Sequence, residues 1–353
     1  MKKVGVFMIA ICGLLLVESC GSQEGARAPL PSIVGPRGEI LIVCDDAIWN
    51  SEVGDTLRDA LMKPYHVLPQ MHMETFEPMF DLVQKTKVDF NKFWKPHRNI
   101  IFLEIADRID TQEPSVKFYK DRYSMGQIFI EGKARTFSGL AKKLAERQLE
   151  MVSLLDDMEV KRSGYISSLS VDEALETRVL EELGVDMIIP KGCYPVRVDS
   201  TFTWIDRQMT RLKGSNNHDV QQGFFIHMEP YLGPHQFSLQ YLLERRDMLT
   251  AEFVSGPTEG SYMVIERRMT PSYDEIPYQG KFAAEIRGLW RMENDFMGGP
   301  FYSITIHDPE RSTLITIEGY TYAPYFDKRD YMREVTGIVK SARINTKAAA
   351  TLP

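Results

Sequence analysis

Apolar and polar positions alternate with two different periods along this chain, and the period predicts where strands give way to helices. Residues 39–44 (EILIVC) form an apolar run that predicts a buried strand, and Asp45-Asp46 then leads into a helix near 52–63. Pro69 and Pro78 break up residues 65–80, and further strands are predicted at 99–105 (NIIFLEI) and 122–132. Phe137, Leu140, Ala141, Leu144, Met151, Val152 and Leu155 recur at helical spacing, which predicts one long helix over 137–160. A second helix over 171–183 should stop at Gly184, because glycine tolerates the left-handed conformation of a helix end. Beyond 192 the pattern turns strand-rich. YPVRVDSTFTWI and GFFIHMEPY are followed by a helix at 236–252, and then by SYMVIERRM, KFAAEIRGLWRM, PFYSITIHD and TLITIEGYTY. Pro, Gly and Asp turns separate these last runs, which predicts an antiparallel meander. A final helix at 328–343 places Tyr331, Met332, Val335, Ile338, Val339 and Ala342 on one face, with Asp327 as its natural N-cap. The fold class predicted is α+β: two mixed α/β lobes over 39–165 and 166–346, the second largely an antiparallel meander with packed helices, and a tail at 347–353.

The N-terminus follows neither period. Lys2 and Lys3 precede an apolar run of 14 residues (VGVFMIAICGLLLV), too short for a transmembrane helix of about 20 residues and suited to an export signal. Val17-Glu18-Ser19-Cys20 resembles a bacterial lipobox, with Glu18 the one unusual letter. That resemblance implies a signal peptide over 1–19, cleavage before Cys20, and acylation of the Cys20 sulfur. Two or three acyl chains anchor a protein stably, whereas one is marginal. Residues 20–38 are rich in Gly, Pro, Ala and Ser and read as a flexible tether. Gly21 is not the Asp associated with inner-membrane retention, so the expected location is the outer membrane, facing the periplasm.

Charge and cysteine usage narrow the classes. Loss of residues 1–19 removes Lys2, Lys3 and Glu18 and moves the net charge from −7 to −8. A mildly acidic chain argues against sequence-independent nucleic-acid binding and against a polybasic membrane patch. Of the four cysteines, Cys12 leaves with the leader and Cys20 carries lipid. Cys44 and Cys193 remain, and an oxidising compartment leaves open whether they pair.

The familiar catalytic signatures are missing: H-E-x-x-H, G-x-S-x-G, C-x-x-C, the P-loop and G-x-G-x-x-G. Asp45 and Asp46 stand at the end of a predicted strand, the edge at which open α/β sheets bind ligands, with Trp49 nearby as a stacking surface. A solvated helix-capping turn explains the same two residues. His66, Met71, His72, Met73 and Met79 lie close together as soft ligands suited to Cu(I), although Met also fills gaps in cores. Trp290, Arg291, Asn294 and Asp295 flank Gly298-Gly299-Pro300; they read either as a connection whose aromatic residues pack inward or as a polar pocket with an aromatic wall. Lys328-Arg329 offers two cations, either for an anionic ligand or for surface ion pairs. No cofactor and no metal site is assigned.

The chain also resembles an uncharacterised family of Bacteroidetes lipoproteins known only as a domain of unknown function. The resemblance is carried by GPRGEILIVCDDAIW at the start of the first lobe, Leu68-Pro69-Gln70, HRNIIFLEI at 97–105, NDFMGGPF at 294–301 and GYTYAPYFDKRDYMRE at 319–334. It implies a lipoprotein and brings no reaction or catalytic residue. The leading expectation is a membrane-anchored envelope lipoprotein that contacts the bilayer through its acylated N-terminus and binds an envelope protein or small ligand. The alternative is an envelope hydrolase using Asp45 or Asp46 as one of a carboxylate pair, with a pocket joining it to Asp295 and Arg291; copper handling comes third.

Overall fold

A computed structural model describes residues 29–68, 76–106 and 113–345. The leader, Cys20, the tether up to residue 28, Met71, His72, Met73 and the tail at 347–353 lie outside the described residues.

The first sheet is built from β1 (Glu39–Val43), β2 (Asp81–Lys85), β3 (Asn99–Ile105), β4 (Ser115–Lys120) and β5 (Ile128–Ala134), in the order β2-β1-β3-β5-β4. All pairs are parallel except β4 with β5. Parallel strands are covered on both faces, which is why β1 reads as a continuous apolar run. Ile40 and Ile42 face the main core, while Leu41 and Val43 face a smaller cluster closed by Phe90, Trp94 and Tyr123. Helices α1 (Asp46–Trp49) and α2 (Glu52–Leu61) follow β1, with the Ser51 hydroxyl capping α2. The single helix predicted over 137–160 is two: α3 (Phe137–Glu146) and α4 (Gln148–Ser168). Arg147 leaves helical geometry at the corner, donating to the Val116 carbonyl at 3.2 Å with its guanidinium 4.7 Å from the Phe118 ring. Leu140, Ala141 and Leu144 form the buried stripe of α3, which lies against β5 and α2, whereas α4 turns to meet the last helix of the chain.

The chain then forms α5 (Glu173–Leu183), ended by Gly184 at φ 66° as predicted, and the short β6 (Val185–Asp186). The second sheet takes β7 (Cys193–Arg197), β8 (Phe202–Lys213), β9 (Asn216–Pro230), β10 (Tyr262–Ile265), β11 (Ser272–Tyr278), β12 (Lys281–Glu293), β13 (Gly298–Asp308) and β14 (Thr313–Tyr322). Its order is β10-β12-β13-β14-β9-β8-β7, with β11 also pairing β12, and every pair is antiparallel. Helix α6 (Leu239–Phe253), entered through a 3₁₀ turn at Pro234–Phe237, lies on one face of this sheet, and α7 (Arg329–Val339) lies on the other. The chain closes with β15 (Arg343–Ile344) paired to β6. The protein is therefore α+β. No helix among the described residues is long and apolar enough to cross a membrane.

Helix α7 joins the two sheets. Arg333 is 1% exposed, and its Nε and Nη2 donate to Asp156 of α4 at 2.9 and 2.8 Å. Nη2 also donates to the Met79 carbonyl at 2.8 Å, and the guanidinium lies 4.9 Å from the Phe80 ring. Arg329 reaches Asp81 and the Pro78 carbonyl, both at 2.9 Å. Asp327 does not cap this helix. The Glu77 carboxylate, arriving from the first lobe, accepts the N–H groups of Lys328 and Arg329 at 2.7 and 2.9 Å. Where α7 crosses α4, Gly337 meets Gly164; a Cβ at Gly337 would stand 2.7 Å from the Val160 carbonyl oxygen, so only glycine allows this approach.

Cys44 and Cys193 are both buried and unpaired, and burial pushes each thiol up to about 12. Three outcomes follow from this packing. Gly337→Ala forces backbone apart at the crossing and should cost about 1–3 kcal/mol in urea unfolding. Arg333→Leu strands Asp156 and should cost about 3–5 kcal/mol in the same measurement. Alkylation mapped by mass spectrometry should modify Cys44 and Cys193 only after denaturation.

Candidate functional site

Helix α6 starts at Ser238, whose hydroxyl accepts the Tyr241 N–H at 3.3 Å. Its buried positions are Leu242, Leu243, Arg246, Leu249 and Thr250, the spacing of a core-facing stripe. One of those five is an arginine. Arg246 is 8% exposed and meets Glu318, which the pleat of β14 turns to the α6 side along with Leu314 and Tyr320. Nε lies 3.0 and 2.9 Å from the two Glu318 oxygens, and Nη2 lies 2.7 Å from Oε1. Nη2 also approaches the Met263 sulfur at 3.5 Å, and the guanidinium sits 4.1 Å from the Phe301 ring. Nη1, equally buried, has no hydrogen-bond partner among the described residues. Burial pushes the Glu318 carboxyl up, and Arg246 pulls against that. Leaving a buried donor unpaired costs about 1–3 kcal/mol, more when it is charged.

The pair borders a half-enclosed cavity of about 40 Å³ between α6 and the sheet. Phe225, Leu242, Leu249, Ile286 and Phe301 supply apolar walls, and Ser303, Thr305, Thr316 and His227 supply polar ones. That space accommodates about three waters, or one end of a slender molecule. The Thr305 and Thr316 hydroxyls bond to each other at 2.8 Å. His227 Nδ1 lies 2.8 Å from the Thr201 carbonyl, which only accepts, so Nδ1 carries the proton. Its Nε2 lies 3.2 Å from Arg245 Nε and 3.7 Å from Glu229 Oε1. Arg98, Arg311 and Arg333 also leave one nitrogen unbonded, but Arg246 is the one of these that lines this cavity. For Arg333, the Asp330 carboxylate stands 3.6 Å from Nη1.

The residues singled out from sequence lie elsewhere. Asp45 and Asp46 sit past the end of β1, and Asp45 does not cap α1 with its side chain. Both side chains are exposed; Asp45 faces Lys87 at 3.7 Å and Asp46 accepts from Gln84 at 3.1 Å. Lys87 and Lys133 flank Glu104 at 3.6 and 3.8 Å, so a row of ion pairs runs along this sheet edge. Trp49 is half-buried beneath the Arg58 guanidinium at 4.4 Å. In the second sheet Trp290 is buried edge-on to Tyr320, with ring centroids 5.4 Å apart. Arg291 pairs with Glu293 at 2.6 Å. Asn294 takes a left-handed φ of 63° and donates to the Gly260 carbonyl at 3.1 Å, while Asp295 accepts from Thr258 at 2.5 Å. Trp290, Arg291 and Asp295 share an open hollow of about 380 Å³ with a fully exposed Phe296. No hydrogen bond or ion pair among the described residues joins this group to Asp45 or Asp46. Met79 of the soft-ligand stretch is buried in the main core, and no group of three or more His, Cys, Asp or Glu suited to a metal occurs among the described residues. Lys328 and Arg329 contribute their N–H groups to Glu77, and Arg329 is spent on Asp81. Arg246 and Glu318 were readable only as charges at apolar positions of α6 and β14; the sequence holds no hint that the two meet.

Residues 172–341 match the family described as domain of unknown function DUF4837, and residues 33–166 match the family described as domain of unknown function DUF8532. No curated protein matches the chain. Among solved structures, the Ran-binding protein Mog1p of Saccharomyces cerevisiae is 12% identical, with a TM-score of 0.30 over 47% of this chain and 94% of its own. A point mutant of protein Mog1 is 10% identical, with a TM-score of 0.27 over 46% of this chain and 91% of its own. The two larger sheets of the chain thus fall in domains of unknown function, DUF8532 and then DUF4837.

Proposed function

We propose that this chain is a lipid-anchored envelope lipoprotein whose C-terminal sheet and α6 form a binding module for a small molecule. The observation that carries the reading is the buried Arg246–Glu318 pair in the wall of a cavity that is otherwise largely apolar. Most ligand sites combine apolar walls with a few polar groups that fix orientation, and this one has both. A buried ion pair is weak evidence for stability, since a hydrophobic replacement of similar volume is often as stable. Its presence on the core stripe of α6 is better explained by what it holds. The hydrolase alternative draws no comparable support: Asp45 and Asp46 are exposed, and Lys87 stands between Asp45 and Glu104 at 3.7 and 3.6 Å, so the acids of this sheet edge are engaged in ion pairs. The anchor rests on the lipobox-like Val17-Glu18-Ser19-Cys20, and the tether would hold the binding module off the bilayer.

Labelled palmitate should enter the chain and disappear in Cys20→Ala; label retained in that variant would end the anchoring half of the proposal. For the site, Arg246→Met alone leaves Glu318 buried and unpaired, with an expected loss of about 3–5 kcal/mol in urea unfolding. Arg246→Met combined with Glu318→Met should recover wild-type stability or exceed it. A double variant as unstable as the single one would mean that the pair serves the fold and not a ligand.

A further inference from the structure

We infer that one edge of the first sheet rests on the bilayer, with Leu30, Val34, Phe93 and Met125 entering the boundary between headgroups and acyl chains. This rests on the reading of the chain as lipid-anchored. Strands β1, β3 and β5 run parallel, so the segments leading into them share the amino edge of the sheet. Backbone and amide bonds knit these segments together. The Met125 N–H donates to the Pro31 carbonyl at 2.9 Å, and the Val34 N–H to the Pro96 carbonyl at 3.0 Å. The Gln127 amide donates to the Lys95 and His97 carbonyls, both at 2.7 Å. Each segment nevertheless leaves apolar side chains in water. Phe93 is 74% exposed and Met125 63%, and Leu30 and Val34 are exposed beside them in sequence order at the start of the fold. Single exposed apolar residues are ordinary; four on one interlocked edge mark a contact surface.

Where the chain enters the fold decides what meets this edge. Ser32 and Val34 are bridged to Met125 and His97, so of the segment 20–38 only 20–28 lies ahead of the described residues. A Gly- and Ala-containing chain of about nine residues spans about 16 Å on average and about 30 Å at full stretch. An acylated Cys20 therefore keeps Leu30, and the amino edge with it, close to the lipid. The tether also makes the contact intramolecular, so a small apolar surface is enough to set the orientation of the lobe without supplying affinity of its own. The charges of the edge fit a phosphate layer. Lys92 and Lys95 are exposed, with Nζ 5.3 Å from the Phe93 ring and 5.5 Å from the Tyr123 ring. Lysines next to aromatic rings suit a membrane boundary, where the ring sits at headgroup level and the ammonium reaches outward to water and phosphate. Two carboxylates of the edge are already engaged: Glu39 with His97 at 2.9 Å, and Asp121 with the Gly126 N–H at 2.5 Å.

Spin labelling of the full chain, purified from membranes and reconstituted into vesicles of phosphatidylethanolamine with phosphatidylglycerol as the minor lipid, tests this. Phe93→Cys, Met125→Cys and, at the opposite edge of the sheet, Asp46→Cys each place a nitroxide on an exposed side chain, where the fold tolerates it. The native Cys44 and Cys193 are buried and stay unlabelled. Collision with oxygen, which concentrates in lipid, is compared with collision with a nickel complex, which stays in water. The oxygen-to-nickel ratio should be at least five-fold higher at 93 and 125 than at 46. Mass spectrometry of the N-terminal peptide reads the anchor separately. Ratios at 93 and 125 no higher than at 46, on protein whose Cys20 carries acyl chains, would overturn the docking and leave the anchor standing, with the edge left to a protein partner. An N-terminal peptide without acyl chains would overturn the anchor and the docking with it.

Discussion

The Arg333 guanidinium is the contact on which the arrangement of this protein depends. It leaves α7, near the end of the described chain, and is buried in the first lobe between Asp156, the Met79 carbonyl and the Phe80 ring. An arginine that is 1% exposed is stable only where its charge is matched, and here Nε and Nη2 also donate hydrogen bonds. Meeting those demands fixes where α7 lies, and α7 in turn fixes the sheets. Arg329 and the Glu77 cap repeat the link one turn earlier, and the Gly164–Gly337 crossing brings the helices into backbone contact. With α7 in place, Ile315 and Ile317 of β14 share one apolar core with Ile40 and Ile42 of β1.

That constraint divides the second sheet into two unlike faces. The α7 side is committed to joining the halves of the molecule. The α6 side is covered by a single helix, and it retains space. Each helix carries an arginine on its buried stripe, yet the two are used differently. Arg333 stands between a carboxylate and a carbonyl with a second carboxylate near Nη1, whereas Arg246 has one carboxylate and is itself part of a cavity wall. Both leave Nη1 without a hydrogen bond, but that of Arg333 still has a carboxylate 3.6 Å away.

The elements legible in the sequence were those with strong periodicity. β1, β3 and β12 to β14 read as strands because both their faces are covered and their apolar runs are long. Strands β2, β4 and β11 were missed because they are polar and mostly part-exposed, so no apolar period marks them, and ladder bonds to β1, β5 and β12 hold them in place. The break at Arg147 was missed for a related reason. The apolar stripe continues through 137–155, but its two halves face different partners, and periodicity carries no record of which partner a stripe meets. Asp327 was a sound local choice for a cap, overridden by a carboxylate from the other lobe.

The sequence by itself determined the α+β class, the order of the main elements, the left-handed stop at Gly184 and the position of Asp45 and Asp46 at a strand end. Each of these is a local property, set by backbone conformation or by the spacing of neighbouring side chains. Only the tertiary structure decided that Cys44 and Cys193 stay apart, that Glu77 caps α7, and that Arg246 meets Glu318 at a cavity. Those outcomes depend on which residues folding brings within a few ångströms, where desolvation makes one unpaired donor matter. A charge in an apolar pattern is visible in one dimension; its partner, and the nitrogen left without one, exist only in three.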